Sequence, residues 1–306
     1  MSPHPGLPEP RSDAMGGEGL SAASPKAARP SEILRRSARY LARHGVESPR
    51  ETAETLLMHF LGTDRAGLYS RAEGLDSRTA RLFGRALCQR CTGVPLQYLT
   101  GEQDFMGLRL TVGPGVFVPR PETETLVGTA LDLLGGVPNP VVVDVGTGTG
   151  AVALALKHAR PDARVLATDL SETAVGLASA NAERHCLEIE VLKGDLLSPV
   201  PEALRGNVAQ IVSNPPYIAP EDYEGLPEEV RAEPYEALVG GTEFHTRLTD
   251  LATAWLEPGG WLVVEIGADQ GDDVHAILSS RLEDVTILPD LARRDRIALG
   301  RRSRGG

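Results

Sequence analysis

One stretch near the middle of the chain constrains the fold more than any other. Val141–Val145 is apolar except for Asp144, as expected for a strand that is buried on both faces of a sheet. A five-residue turn with three glycines, Gly146 to Gly150, follows, and the spacing of apolar residues in 151–158 then predicts a helix. A buried strand, a glycine turn and a helix in this order are typical of a parallel α/β sheet.

Further strand and helix patterns alternate along the rest of the chain. The predicted strands are Val165–Thr168, Val191–Lys193, Ala209–Ser213 and Trp261–Glu265, with Thr286–Leu288 and Ile297–Leu299 as a closing antiparallel pair. Strands that alternate with helices predict an α/β fold, a doubly wound and mostly parallel sheet with helices on both faces. We assign this sheet to a domain of residues 123–300.

The residues before the sheet divide into three predicted parts. Residues 1–30 hold six prolines and few large apolar side chains, so they are expected to be a disordered tail. Residues 31–92 predict three short helices, the second of which would begin at a capping box, Ser48 to Glu51, with Pro49 at the first helical position. Residues 93–122 alternate apolar and polar side chains between glycines and prolines, which predicts a β-hairpin linker.

The composition excludes several classes of protein. The chain has 306 residues and a formal net charge of −11, which argues against a protein that coats nucleic acid through non-specific phosphate contacts. No run of about 18 apolar residues occurs, so we expect no membrane-spanning helix. Three cysteines are too few for a disulfide framework and predict a reducing, cytoplasmic location. Cys88 and Cys91 lack a second pair of ligands, so we expect no metal site.

The glycine turn is a candidate ligand site. Glycines let a ligand approach the bare backbone, and Asp169 ends the next strand, where an acid accepts hydrogen bonds from ribose hydroxyls. The pattern D-x-G-x-G-x-G departs from the dinucleotide fingerprint G-x-G-x-x-G, which Ala151 fits only in its looser form. Asp144 also disfavours an anionic pyrophosphate and suits the cationic end of S-adenosylmethionine (SAM). A tight turn without a ligand remains the alternative.

A second candidate site is the segment Asn214-Pro215-Pro216-Tyr217, which follows a predicted strand. Two consecutive prolines remove two backbone donors, so the segment is rich in acceptors, among them the Asn214 side-chain oxygen and the Pro215 carbonyl. Two acceptors in one plane would bind both hydrogens of a planar NH2 group, and the Tyr217 ring could stack on that group. Amide, exocyclic base and guanidinium nitrogens all fit this description.

These two motifs together resemble the HemK/PrmC family of SAM-dependent methyltransferases, which methylate the side-chain amide of glutamine in peptide release factors. The likeness covers about residues 31–300 and extends to several further stretches. They are Pro95 to Gly101, Val118 to Glu124, Glu233-Pro234 with Ala237-Leu238, Leu256 to Gly260, Glu265 to Gly267 with Gln270, and Asp295-Arg296. The stretch Thr242 to His245 departs from the family pattern.

The resemblance implies a role for each matching residue. The expected cofactor-binding residues are Gly146, Thr147, Gly148, Thr149, Gly150, Asp169, Asp195, Leu196 and Asn214. The expected catalytic residues are Asn214, Pro215 and Tyr217, and Pro216 would join them in binding the substrate. Arg120 would lie near the mouth of the pocket and order Glu124 or the entry loop. The helical domain, residues 31–92, would recognise the substrate.

Several alternatives remain open at this stage. The acceptor could instead be a free amino acid or another small molecule, such as the guanidino group of arginine in a secondary-metabolite pathway. Exocyclic amines of nucleic acids are a further alternative that the negative charge disfavours, and a SAM-binding module without catalysis is another. The acidic residues between Glu221 and Glu229 are expected to be solvated, and His245 is expected to lie on the surface.

Overall fold

A computed structural model describes residues 29–305 of the chain. Nearly all of the tail predicted for residues 1–30 therefore lies outside the described residues. Pro30, its last residue, begins the first helix.

The N-terminal part is built from helices around a small apolar core. Their bounds are α1 Pro30–Arg43, α2 Pro49–Leu61, α3 Arg65–Ser70, α4 Ser77–Cys91 and α5 Leu96–Thr100. Leu41, Leu56 and Phe83 are among the side chains that fill this core. Helix α3 was not predicted from the sequence; the Asp64 carboxylate caps its start by accepting a hydrogen bond from the Gly67 amide.

The predicted capping box at Ser48 is wrong. Ser48 precedes α2 and Pro49 occupies its first turn, but the Ser48 side chain makes no capping hydrogen bond. Its backbone is left-handed, with φ 45° and ψ 52°, whereas a capping serine needs an extended backbone to aim its oxygen at the helix amides.

A two-stranded antiparallel sheet and a helix follow. Their bounds are β1 Glu102–Phe105, β2 Leu108–Thr111 and α6 Thr123–Leu133. Asn181 holds this sheet against the following domain, since its side-chain amide exchanges two hydrogen bonds with the Thr111 backbone.

The remaining elements form a seven-stranded sheet and its helices. The strands are β3 Val141–Val145, β4 Arg164–Asp169, β5 Glu190–Lys193, β6 Val208–Ser213, β7 Leu256–Glu265, β8 Glu283–Pro289 and β9 Asp295–Arg301. The helices are α7 Ala151–Ala159, α8 Glu172–His185, α9 Glu228–Arg231, α10 Tyr235–Leu238, α11 Glu243–Trp255 and α12 Gly271–Ser279. The strand order is β5-β4-β3-β6-β7-β9-β8, parallel except for β9, which pairs antiparallel with β7 and β8.

The predicted fold class is confirmed. Successive valines of β3 face opposite sides, so Val142 packs with α6 and α7 while Val143 packs with α11 and α12. The strand order reverses between β3 and β6, and in doubly wound sheets the crevice beyond the carboxyl ends of such strands is where ligands bind. Within residues 29–305, no helix has the length and apolar character needed to span a membrane.

Candidate active site

The glycine turn after β3 is held open by hydrogen bonds from its own backbone. The amides of Gly146 and Thr147 donate to the Thr168 carbonyl at 2.8 and 3.0 Å. Gly146 has φ 73°, a left-handed conformation that favours glycine, and a Cβ built there would meet no atom within 4 Å. The turn therefore exposes bare backbone to the crevice.

The Asp144 carboxylate stabilises this turn through two hydrogen bonds. Its Oδ2 accepts hydrogen bonds from the Thr147 hydroxyl at 2.6 Å and from the Ala153 amide at 3.1 Å. Burial raises the pKa of Asp144 to about 7, with a smaller contribution from Asp169, while the two hydrogen bonds act in the opposite direction. Asp144 is also one of the residues that line the cavity between the two sequence motifs.

Asp169 stands at the carboxyl end of β4, beside the turn. One carboxylate oxygen accepts from the Gly148 amide and the other from the Ser171 amide, both at 2.9 Å. These two bonds fix the orientation of the carboxylate and leave lone pairs on both oxygens for further donors. An acid placed in this way suits a ligand that carries a pair of hydroxyl groups.

A cavity of about 800 Å³ joins the two sequence motifs. Its wall includes nearly all of the predicted site residues: Gly146, Thr147, Gly148, Thr149, Asp169, Asp195, Leu196, Asn214, Pro215, Pro216 and Tyr217. Such a volume is ordinary for a small-molecule site. The bare glycine turn, the oriented Asp169 carboxylate and the cavity fit a nucleoside-bearing group such as SAM.

Gly150 is the exception among the predicted site residues. It does not line the cavity but precedes α7 with φ 83°. A Cβ at this position would lie 3.2 Å from the Ala178 side chain, so this glycine permits α7 and α8 to approach each other. Its place in the pattern therefore serves helix packing.

The Asn214 side chain is held in one direction at the end of β6. Its Nδ2 donates to the Thr123 hydroxyl at the start of α6, at 3.0 Å. The neighbouring Ser213 hydroxyl donates to the Val145 carbonyl at 2.6 Å and ties the end of β6 to β3. This bond uses one of the two Nδ2 hydrogens, and Oδ1, which accepts no hydrogen bond from the described residues, is the acceptor that Asn214 offers at the cavity wall.

Tyr217 is fixed from two sides. Gln270 donates to the Tyr217 carbonyl at 2.7 Å, and the Gly267 amide donates to Gln270 Oε1 at 2.9 Å. The Tyr217 hydroxyl donates to Glu265 Oε1 at 3.4 Å. Burial raises the pKa of this hydroxyl, and the nearby Glu265 carboxylate raises it further. The ring is therefore a neutral wall of the cavity.

Glu265 is a functional candidate that the sequence indicated only as part of the stretch Glu265 to Gly267. It is the last residue of β7, and only 1% of its surface is exposed. Burial raises its pKa to about 7, opposed by the Thr123 hydroxyl and the Arg296 charge. The available sequence signal is a carboxylate that ends a buried strand next to the strand of Asn214, since parallel strands end at one edge of the sheet.

Arg120 lies at the cavity as expected, but of its two expected roles the pairing with Glu124 is wrong. Arg120 does line the cavity, but it pairs with Glu233, while Glu124 accepts a hydrogen bond from the Met106 amide at 3.1 Å. Glu233 also accepts from the Val118 amide at 2.8 Å. This buried carboxylate holds the loop before α6 against the segment after α9, and both segments contribute to the cavity wall.

Two further expectations about polar residues are corrected. His245 is buried and not on the surface: it is 1% exposed, and its Nε2 lies 3.0 Å from the Glu265 carbonyl. The face of α11 that carries His245 packs against β7. Glu229 is not merely solvated: it lines the cavity and forms an ion pair with Arg90 at the end of α4. The N-terminal helices thus contact the cavity rim through a charged pair.

No group of three or more His, Cys, Asp or Glu side chains suited to a metal ion occurs within residues 29–305.

Comparisons with known proteins match both parts of the chain. A family model described as the PrmC N-terminal domain matches residues 32–101, and one described as the methyltransferase small domain matches residues 114–288. A release factor glutamine methyltransferase from Moorella thermoacetica is 42% identical over 282 residues, which cover 89% of this chain and 98% of that protein. Another from Xylella fastidiosa strain 9a5c is 42% identical over 259 residues, which cover 82% and 93%.

A solved structure supports the fold alone. The 16S rRNA N2 G1207 methyltransferase of T. thermophilus, in complex with AdoMet and guanosine, is 22% identical and has a TM-score of 0.50. The match covers 66% of this chain and 49% of that chain.

Proposed function

This chain belongs to the release factor glutamine methyltransferase family, and we propose that it transfers a methyl group from SAM to the side-chain amide nitrogen of a glutamine in a peptide release factor. The observation that carries the proposal is the orientation of Asn214. Its Nδ2 is engaged by Thr123, so its Oδ1 is left to accept a hydrogen bond from an incoming NH2 group. That acceptor shares one cavity with the glycine turn and Asp169.

The cofactor end of the cavity is assigned to the residues around the glycine turn. We infer that the exposed backbone of Gly146 to Thr149 receives the methionine part and that Asp169 accepts hydrogen bonds from the ribose hydroxyls. Asp195 and Leu196, which lie on the wall beyond β5, would border the adenine. When bound, SAM supplies a methyl group that is already activated by a positive sulfonium.

The substrate end is assigned to the Asn214–Tyr217 segment. Asn214 Oδ1 and the Pro215 carbonyl would accept the two amide hydrogens of glutamine and so turn the nitrogen toward the cofactor end. Pro216 and Tyr217 would complete the pocket and exclude water. An amide lone pair is delocalised, and acceptors on both hydrogens favour the build-up of positive charge on nitrogen. The methylated nitrogen then loses its proton readily, so the chain needs no strong base.

Orientation of the reacting groups is expected to contribute more to the rate enhancement than the hydrogen bonds to the amide. A neutral hydrogen bond is worth about 0.5–1.5 kcal/mol net, so two acceptors account for only a few kcal/mol. Holding the reacting groups in line is worth roughly 7–11 kcal/mol. The rigid mounting of Asn214 and Tyr217 supports this division, because both are fixed by hydrogen bonds to neighbouring elements.

We propose that the chain divides as its sequence indicates, with residues 31–92 for substrate recognition, 93–122 as a linker and 123–300 for methyl transfer. The Arg90–Glu229 pair supports the recognition role, since it joins the helical part to the rim of the cavity. A protein substrate that contacts these helices would thereby also contact the rim. The free thiols of Cys88, Cys91 and Cys186 suit a cytoplasmic location.

A methyl-transfer assay with labelled SAM tests the proposal. The purified full chain is given a release factor, free arginine or a mixed nucleic acid, and the labelled product is digested and analysed by mass spectrometry. We expect label on one glutamine of the release factor alone. Label on free arginine or on nucleic acid, with none on the release factor, would refute the proposal. No observation on the fold or the site favours either of those acceptors.

A further inference from the structure

The Glu233 carboxylate joins two parts of the cavity wall through both of its oxygens. Its Oε2 accepts a hydrogen bond from the Val118 amide at 2.8 Å, and its Oε1 pairs with the Arg120 guanidinium. Glu233 is 3% exposed, so bulk water does not compete for these contacts. Both partners belong to the loop between β2 and α6, whereas Glu233 belongs to residues 228–238, which we call the α9–α10 segment.

The loop between β2 and α6 forms the wall at the cofactor end of the cavity. Val116, Phe117 and Arg120 are among its residues that line the cavity. A Cβ built on Gly148 would lie 3.6 Å from Val116 Cγ1, so this loop packs against the glycine turn. The Arg120 guanidinium lies 5.1 Å from the centre of the Phe117 ring. The group that pairs with Glu233 therefore also packs on this wall.

The α9–α10 segment forms the wall at the substrate end. Pro234 and Leu238 are among its residues that line the cavity. The Leu238 carbonyl accepts a hydrogen bond from the Ile218 amide at 2.9 Å, and Ile218 directly follows the Asn214–Tyr217 segment. The position of the α9–α10 segment is therefore tied to that of the residues proposed to bind the glutamine amide.

Stability alone does not account for an ion pair at this place. Burial raises the pKa of Glu233, while the Arg120 charge and the Val118 amide act in the opposite direction. Two apolar side chains of similar size often stabilise a buried site as well as an ion pair does, because no charge has to be desolvated. The carboxylate adds direction, since its two oxygens must meet two donors at fixed places on the facing loop.

We propose that Glu233 and Arg120 are positioning residues that hold the two walls in one relative position, so that the cofactor end and the substrate end of the cavity face each other. This inference rests on the proposed function, since it concerns the alignment of SAM with a glutamine amide. Glu233 acts through the loop that it binds. A ligand at the cofactor end should consequently also order the α9–α10 segment.

Replacing one or both members of the pair separates positioning from stability. Arg120→Met leaves the Glu233 carboxylate buried without its cation and should lower the urea midpoint of unfolding. The double variant Arg120→Met/Glu233→Gln carries neither charge and keeps an acceptor for the Val118 amide, so its midpoint should return toward the wild-type value. We expect both proteins to lose roughly ten- to hundredfold in kcat, with KM for the release factor unchanged within about threefold, because restored stability does not realign the walls.

Arg164→Met is the matched control. Arg164 pairs with Glu190 at 2.7 Å between β4 and β5, and neither residue lines the cavity, so kcat should stay at the wild-type value. Wild-type turnover in the folded double variant would overturn the proposal. Turnover that recovered together with the urea midpoint would overturn it as well, because the pair would then serve stability alone.

Hydrogen exchange tests the inference without a methyl acceptor. Saturating SAM is added to the wild type, the double variant and Arg164→Met, and the exchange of backbone amides is followed by mass spectrometry. In the wild type and the control, SAM should slow exchange in both the glycine turn and the α9–α10 segment. In the double variant it should still protect the turn, but protection of the α9–α10 segment should fall by about threefold or more.

The two proposals fail separately in these experiments. Equal effects of SAM on the α9–α10 segment in all three proteins would overturn the inference about Glu233 and Arg120 alone. A wild-type protein that failed to methylate a release factor would overturn the proposed function, while the exchange measurement would still decide whether the pair connects the two walls.

Discussion

The Glu265→Gln substitution keeps the shape of the side chain at the end of β7 and removes its charge. Burial raises the pKa of the Glu265 carboxyl from 4.5 to about 7, and the nearby Glu122 charge adds to that effect. The Thr123 and Tyr217 hydroxyls and the Arg296 charge lower it only in part. The ionised form is therefore less stable in the folded protein than in water, so the charge at this position opposes folding.

The sign of the pH dependence follows from proton binding. Between about pH 4.5 and pH 7 the folded protein binds the Glu265 proton more tightly than the unfolded chain does, so its stability falls as the pH rises. The favourable contribution is complete below the unfolded pKa and is lost as the pH passes through the folded pKa. Each pKa unit corresponds to about 1.4 kcal/mol, so roughly 2 to 3 kcal/mol is lost between pH 5 and pH 8.

Urea unfolding at pH 5 and pH 8 measures this difference. The free energy of unfolding of Glu265→Gln, relative to the wild type, should rise by about 2 to 3 kcal/mol between the two pH values. Asp144, whose pKa burial also raises to about 7, is present in both proteins and cancels in the comparison. Glu257→Gln, near the start of the same strand, measures the effect of losing one negative charge from this acidic protein.

Two outcomes would refute the reasoning about Glu265. If the difference in unfolding free energy were the same at pH 5 and pH 8, the carboxyl would not carry the burial cost assigned to it. If Glu265→Gln were less stable than the wild type by an amount that grew with pH, the ionised carboxylate would be stabilising the fold.

Three further predictions concern the walls of the cavity. Asn214→Ala should retain SAM binding and lose at least about a hundredfold in kcat, because orientation of the amide supplies most of the rate enhancement. Unchanged turnover in the labelled assay would refute the amide assignment. Asp169→Ala should raise the dissociation constant for SAM about tenfold or more in calorimetry, because the carboxylate both orients the turn and faces the ligand. Unaltered affinity would count against its role in binding the ribose. Gly240→Ala would place a Cβ against the Pro216 carbonyl oxygen, so it should lower the free energy of unfolding in urea by about 1–3 kcal/mol and slow turnover. Gly176→Ala, a control with open space around the position, should have neither effect.

The sheet could be predicted from the sequence because its signals are local. Parallel strands that are buried on both faces appear as short apolar runs, and Val141–Val145 coincides with β3 as observed. The short helices α3 and α5 gave weaker signals, because few residues are available to establish a helical period. The capping box at Ser48 failed for another reason. Its residue types match, but Ser48 lies in the short connection between α1 and α2 with a left-handed backbone, which residue types alone do not reveal.

In the candidate site, too, the contiguous motifs could be predicted from the sequence and the contacts between remote residues could not. The glycine turn and the Asn214–Tyr217 segment are contiguous motifs, and the fold brings them to one cavity. The partners that orient them are remote in sequence: Thr123 for Asn214, Glu233 for Arg120 and Glu265 for Tyr217. The residue types show which side chains can form such pairs, but the packing of helices, loops and strands decides which of them meet.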